Sequence, residues 1–112
     1  MEEQLISFKT AKLAKEKGFN EPSLRFKGLI KDDSEVVKNW NKYVNSLSKP
    51  TQSLLQKWLR EKHSIFIDII TQSGKNRVTF AYEIKPQSIF ADGFNKYEET
   101  LEEALFKALI YV

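Results

Sequence analysis

The chain has 112 residues, 41% hydrophobic and 29% charged, a balance that suits one globular α+β-sized domain over 1–112 and excludes a disordered or fibrous chain. Its 18 Lys and Arg against 15 Asp and Glu leave a net charge of +3, which permits a nucleic-acid or acidic partner without demanding one. It has no cysteine, so disulfides, thiolate nucleophiles and cysteine-ligated zinc are excluded.

A cysteine-free composition fits a soluble cytoplasmic protein. No apolar run reaches the ~18 residues that span a bilayer, so no membrane partner is expected. The opening MEEQLISFKTAK is acidic and then mixed, unlike a secretory signal.

Ser7 is placed to cap a helix that runs through Lys17, and Gly18 to end it. Lys12, Lys15 and Lys17 complement the dipole at that end. Asn20-Glu21-Pro22-Ser23 reads as a turn. Leu24, Phe26, Gly28 and Ile30 then alternate with Arg25, Lys27 and Leu29 as a short strand, with Gly28 marking a bulge or an end. From Glu35 to Leu47, the apolar residues Val36, Val37, Trp40, Tyr43, Val44 and Leu47 recur at helical spacing. Three asparagines and two valines weaken that helix, and an aromatic-anchored loop is the alternative.

The stretch from Ser48 to Lys85 carries the clearest pattern. Ser48, or next Thr51, caps a helix over 50–63, with Pro50 in its first turn. Leu54, Leu55, Trp58 and Leu59 form one apolar stripe, with Trp58 as the main anchor. Gln52, Ser53, Gln56, Lys57 and Arg60 fall on the other side. A hairpin follows. Ile65, Ile67 and Ile69 share one face of its first strand, and Val78, Phe80, Tyr82 and Ile84 one face of its second. Gln72 to Asn76 supply the turn, longer than two residues, with Gly74 free to take a positive φ.

After Pro86-Gln87-Ser88, Ile89 and Phe90 add a short third strand and Ala91-Asp92-Gly93 turns again. A last helix starts at Asn95 as N-cap, with Glu98 three residues on as in a capping box. Its stripe is Tyr97, Leu101, Ala104, Leu105, Ala108, Leu109 and Val112, while Glu98, Glu99, Glu102 and Glu103 complement its dipole. The fold class is therefore α+β: an antiparallel, hairpin-based sheet of two or three strands, packed by the central and C-terminal helices. Trp58, Leu55, Phe80, Ile67, Leu101 and Leu105 are expected to form one core cluster.

Chemistry-bearing residues are sparse. His63 is the only histidine and suits a helix C-terminus. Asp32-Asp33 fits a turn, and Asp68 a solvent-facing strand position. No glycine-rich phosphate loop or nucleophile elbow is present. No catalytic residue, metal or cofactor is expected, and the chain is read as a non-enzyme.

Pro50 to His63 (PTQSLLQKWLREKH) resembles a block of small uncharacterised proteins of Bacteroidetes bacteria and their phages or mobile elements. Ile6 to Phe19 (ISFKTAKLAKEKGF) is similar to the first helix of that family, and Phe94 to Leu105 (FNKYEETLEEAL) to its last. The resemblance covers about half the chain and leaves out the segment from Arg25 to Leu47. It implies a bacterial or phage origin and brings no assigned activity and no site residues.

Two functions from different classes follow. The first is a non-catalytic interaction module, an accessory protein of a phage or mobile element that binds a host protein. A surface patch made of Trp40, Tyr43 or Phe66 would favour it. The second is a winged-helix-like DNA-binding protein, since the order helix, strand, helix, helix, strand, turn, strand is that of a winged helix-turn-helix. In it the 50–63 helix reads bases and the 71–77 turn is the wing. Under either reading the expected partner-facing set is Gln52, Gln56, Lys57, Arg60, Lys75 and Arg77, all exposed.

Overall fold

A computed structural model describes residues 4–25, 40–42 and 47–112. Among them the order is α1 (Phe8–Glu16), β1 (Leu24–Arg25), a 3-10 turn (Trp40–Lys42), β2 (Ser48–Lys49), α2 (Gln52–His63), β3 (Phe66–Ser73), β4 (Val78–Lys85), β5 (Ile89–Phe94) and α3 (Tyr97–Leu109). The fold is α+β, as expected. β3, β4 and β5 form an antiparallel meander, while β1 and β2 pair in a separate two-stranded sheet. Helices α2 and α3 pack against the meander, and α1 packs on α3 and β2. Among the described residues no helix is long and apolar enough to cross a membrane.

Helix α1 follows its local signals. Ser7 is the N-cap, its Oγ accepting from the Thr10 amide at 3.3 Å, and Gly18 takes φ +92° just past the end. That φ favours glycine, which has no Cβ to clash. Thr10, Ala11 and Ala14 are the buried face.

Helix α2 starts three residues later than Ser48 as N-cap would place it. Thr51 is the N-cap, its Oγ1 accepting from the Leu54 amide at 3.1 Å, and Pro50 precedes the helix. Ser48 is instead in β2 opposite Arg25, bonded to Asn41 through its amide (2.8 Å) and its hydroxyl (3.1 Å). At the other end Ser64 is left-handed, φ 53° and ψ 37°, and the Ser64 and Ile65 amides both close on the Leu59 carbonyl. A Cβ is unfavourable in that region. Ser64→Gly is therefore expected to stabilise the protein by about 0.5–1 kcal/mol, part of the relief being lost to greater unfolded-state entropy. A urea-unfolding midpoint that fell on this substitution would contradict the strain assigned to Ser64.

The hairpin keeps one register along its whole length, from Phe66 opposite Lys85 to Ser73 opposite Val78. Beyond it the Gly74 amide donates to the Arg77 carbonyl at 2.7 Å, so Lys75 and Asn76 alone make the turn, fewer residues than expected. Gly74 does not take a positive φ. It is there for space, since a Cβ would lie 3.2 Å from the Arg77 carbonyl oxygen.

β5 is longer than the two residues expected. Ala91-Asp92-Gly93 is a bulge, not a turn: Tyr82 and Phe80 on β4 face Ala91 and Phe94, so β5 spends one extra residue. Gly93 takes φ +88° there.

Helix α3 begins with Lys96 at the N-cap, whose side chain makes no capping bond; Asn95 lies one residue too early. Tyr97, expected in the buried stripe, is exposed and meets Phe80 edge-on at 6.1 Å. Leu101, Ala104, Leu105, Ala108 and Leu109 join Leu55, Trp58, Leu59, Ile65, Ile67, Tyr82 and Ile84 in one core. Phe80 is only half-buried and lies outside it. Burial, with Glu103 adding repulsion, pushes the Tyr82 hydroxyl above its ordinary pKa.

The winged-helix-like order is met only in part. Within the 35–47 segment, where a helix was expected, residues 40–42 form a 3-10 turn; β2 follows at Ser48–Lys49, and β1 pairs with β2, not with the hairpin. The expected strand from Leu24 is present as Leu24–Arg25. The rest of that strand, Asp32-Asp33, and most of the 35–47 segment lie outside the described residues.

Candidate interaction surface

The six expected partner-facing residues do not form one surface. Gln52 is a correction: it is 4% exposed. Its Nε2 donates to the Glu98 carbonyl at 3.0 Å and to Glu102 Oε1 at 3.2 Å. The polar side of α2 is covered at this end because residues 4–6 bridge onto 50–52. Ile6 N–H donates to the Pro50 carbonyl at 3.1 Å and Gln52 N–H to the Gln4 carbonyl at 2.8 Å. Gln56 is half-buried, its Nε2 donating to the Ile67 carbonyl at 3.0 Å.

Lys57, Arg60, Lys75 and Arg77 are exposed as expected. They sit at two ends of the molecule: Lys57 and Arg60 are on α2, whose Gln56 is anchored to Ile67 near the start of β3, while Lys75 and Arg77 flank the turn beyond its far end at Ser73, about 20 Å on at strand rise. Lys57 also shares its surroundings with Glu21 and Glu61, so the α2 face is mixed in charge.

Glu102, read from sequence only as a dipole-complementing residue, ties three elements together. Its Oε2 accepts from the Ser7 amide (3.1 Å), from Ser7 Oγ (2.9 Å) and from Thr10 Oγ1; its Oε1 accepts from Gln52. The carboxylate thus lies at the N-terminus of α1, where the unpaired amides favour an anion. Glu102 lines an open cleft of about 910 Å³ together with Lys96, Glu98, Glu99 and Glu103.

The feature that departs most from an ordinary surface is the outer face of the meander. Alternation puts Ile67, Tyr82 and Ile84 on the covered side. Phe66, Ile70 and Phe90 fall on the other, 46%, 37% and 53% exposed. Register places Phe66 beside Lys85, Phe90 and Asp68 on either side of Glu83, and Ile70 beside Ala81. Between the aromatics Lys85 Nζ bridges Asp68 at 3.6 Å and Glu83 at 3.5 Å. Two rings and an isoleucine thus surround an ion cluster on this face. Phe66 is legible from the sequence alternation, whereas Phe90 carries only the expectation of a short strand. The Trp40 side chain and Tyr43 lie outside what the structure describes.

His63 ends α2 and is exposed, its ring edge-on to Trp58 at 4.6 Å. Among the described residues no group of three or more His, Asp or Glu is placed to hold a metal ion. The fold defines a small α+β domain with a three-stranded meander backed by two helices. Comparison with protein-family models, with curated proteins and with solved structures returns no match.

Proposed function

We propose that this chain is a non-catalytic interaction module that binds a protein partner through the outer face of the meander. The observation that carries this reading is the exposure of Phe66, Ile70 and Phe90 on one face of a sheet whose other face is the core. Large apolar side chains gathered on a rigid sheet gain most when a partner removes them from water. The family resemblance adds a bacterial, phage or mobile-element origin, and on this reading the partner is a cytoplasmic host protein.

The DNA-binding alternative rests on four exposed cations. It asks the N-terminal end of α2 to enter a major groove. That end is occupied by residues 4–6, the Glu98 carbonyl and the Glu102 carboxylate accept from Gln52, and Glu98, Glu99 and Glu103 line the cleft with it. Carboxylates there repel the phosphate backbone, which supplies most of the affinity in such complexes.

Phe66→Lys with Phe90→Lys is the direct test, since neither ring is in the core and each change should alter stability by only about 0.5 kcal/mol. A protein retained by the parent chain from nuclease-treated bacterial lysate should be lost with the double variant. Equal retention by both would remove the outer face as the site. A gel shift that weakens steeply with salt, and disappears in Lys57→Glu with Arg60→Glu, would establish the DNA reading instead.

A further inference from the structure

We propose that a second copy of this chain pairs with the open edge of β3, antiparallel and centred on Thr71. This inference concerns the sheet edge and does not rest on the outer-face reading.

Backbone polarity defines the edge. Gly74 donates to Arg77 across the hairpin. Alternation then turns the amides and carbonyls of Gln72, Ile70 and Asp68 toward β4, and those of Ser73, Thr71 and Ile69 away from it. A second contact agrees: the Ile67 carbonyl, of the outward-pointing set, accepts from Gln56 of α2. Among the described residues no backbone bond reaches the outward groups of Ile69, Thr71 or Ser73. Thr71 and Ser73 are exposed.

The two edges of the sheet differ. β5 carries a bulge with Asp92 and the positive-φ Gly93, devices that discourage strand addition. β3 stays in register with β4 throughout and contains no proline, lysine or bulge.

Charge identifies the occupant. The only charge on β3 is Asp68, near its start, while Lys75 and Arg77 follow its end. An antiparallel copy of the same strand sets the acidic start against the basic end twice, once at each end of the pair. Gln56 closes the edge at Ile67, which leaves 69–73. That window pairs fully with itself only when Thr71 faces Thr71 and Ile69 faces Ser73. Lys75 of each protomer then falls opposite Ile67 and next to Asp68 of its partner.

The cysteine-free chain makes the register testable. Residues that exchange backbone bonds across an antiparallel pair have Cα atoms ~5.5 Å apart, within the reach of a disulfide. Thr71→Cys should oxidise to a disulfide-linked dimer, whereas Glu99→Cys, exposed on α3, should form no disulfide link. Light scattering should find the parent chain dimeric. Thr71→Pro should raise the dimer dissociation constant at least about tenfold, with the thermal melt unchanged at dilutions where both proteins are monomeric, because the Thr71 amide makes no bond to β4. If Thr71→Pro lowers the melt, Thr71→Lys provides the same reading through charge alone. A monomeric parent chain at high micromolar concentration, a dimer that survives both substitutions, or equal cross-linking of the two cysteine variants would overturn the proposal.

Discussion

Trp58→Ala is expected to destabilise the protein by about 3–5 kcal/mol. The indole is 5% exposed and belongs to the single core. Its ring meets Phe19 edge-on at 5.3 Å and His63 at 4.6 Å. Phe19 is itself fully buried just beyond α1, with its carbonyl held by Asn41 Nδ2 at 2.8 Å. Truncation therefore removes transfer energy, leaves a cavity between α2 and the α1 exit, and strips two ring contacts. A domain of this size has a total stability of about 5–15 kcal/mol, so the variant should be marginal at room temperature. Trp58→Phe keeps a ring in the same hole and should recover more than half of the loss. Urea unfolding of the two variants measures both; a loss below about 1 kcal/mol for the alanine variant would mean that the core does not depend on this anchor.

Trp58 could be read in advance because the pattern that marks it for burial is local, although Phe19, which covers it, is distant in sequence. Leu54, Leu55, Trp58 and Leu59 share a stripe at helical period, and a stripe has to be covered by something. The same holds for α1, whose cap and glycine stop are its own residues, and for the hairpin, whose alternation decides which isoleucines face inward. Failures occurred where a distant segment decides the outcome. Gln52 lies on the polar side of its own helix, and only the arrival of residues 4–6 and of α3 buries it. Ser48 has an N-cap side chain, but pairing with β1 and the bonds to Asn41 claim it first. Asp92-Gly93 has turn chemistry, and the neighbouring strand converts it to a bulge. The candidate surface was legible to the same degree: Phe66 follows from alternation alone, whereas Phe90 required the length of β5 and its register on β4.

Glu102→Ala is expected to cost about 2–3 kcal/mol, through donors left without an acceptor. Thr10 and Gln52 are the buried members of the group, and both point a donor at this carboxylate. Ser7 is exposed and can turn to water, and Gln52 keeps the Glu98 carbonyl, which holds the figure below that of a fully buried ion. Glu102→Gln separates hydrogen bonding from packing, because it preserves shape but supplies only one acceptor oxygen. With that oxygen toward Ser7 and Thr10, the new NH₂ faces the Gln52 NH₂. Rotating Gln52 by half a turn mends that pair and sets its own oxygen against the Glu98 carbonyl. One mismatch survives in every arrangement, so the near-isosteric change should cost at least half as much as the alanine. A double-mutant cycle with Gln52→Ala should return a coupling of about 1 kcal/mol or more, as residues sharing one network do. Additive losses would place Gln52 back among the surface residues of α2 and reopen the end of that helix to a partner.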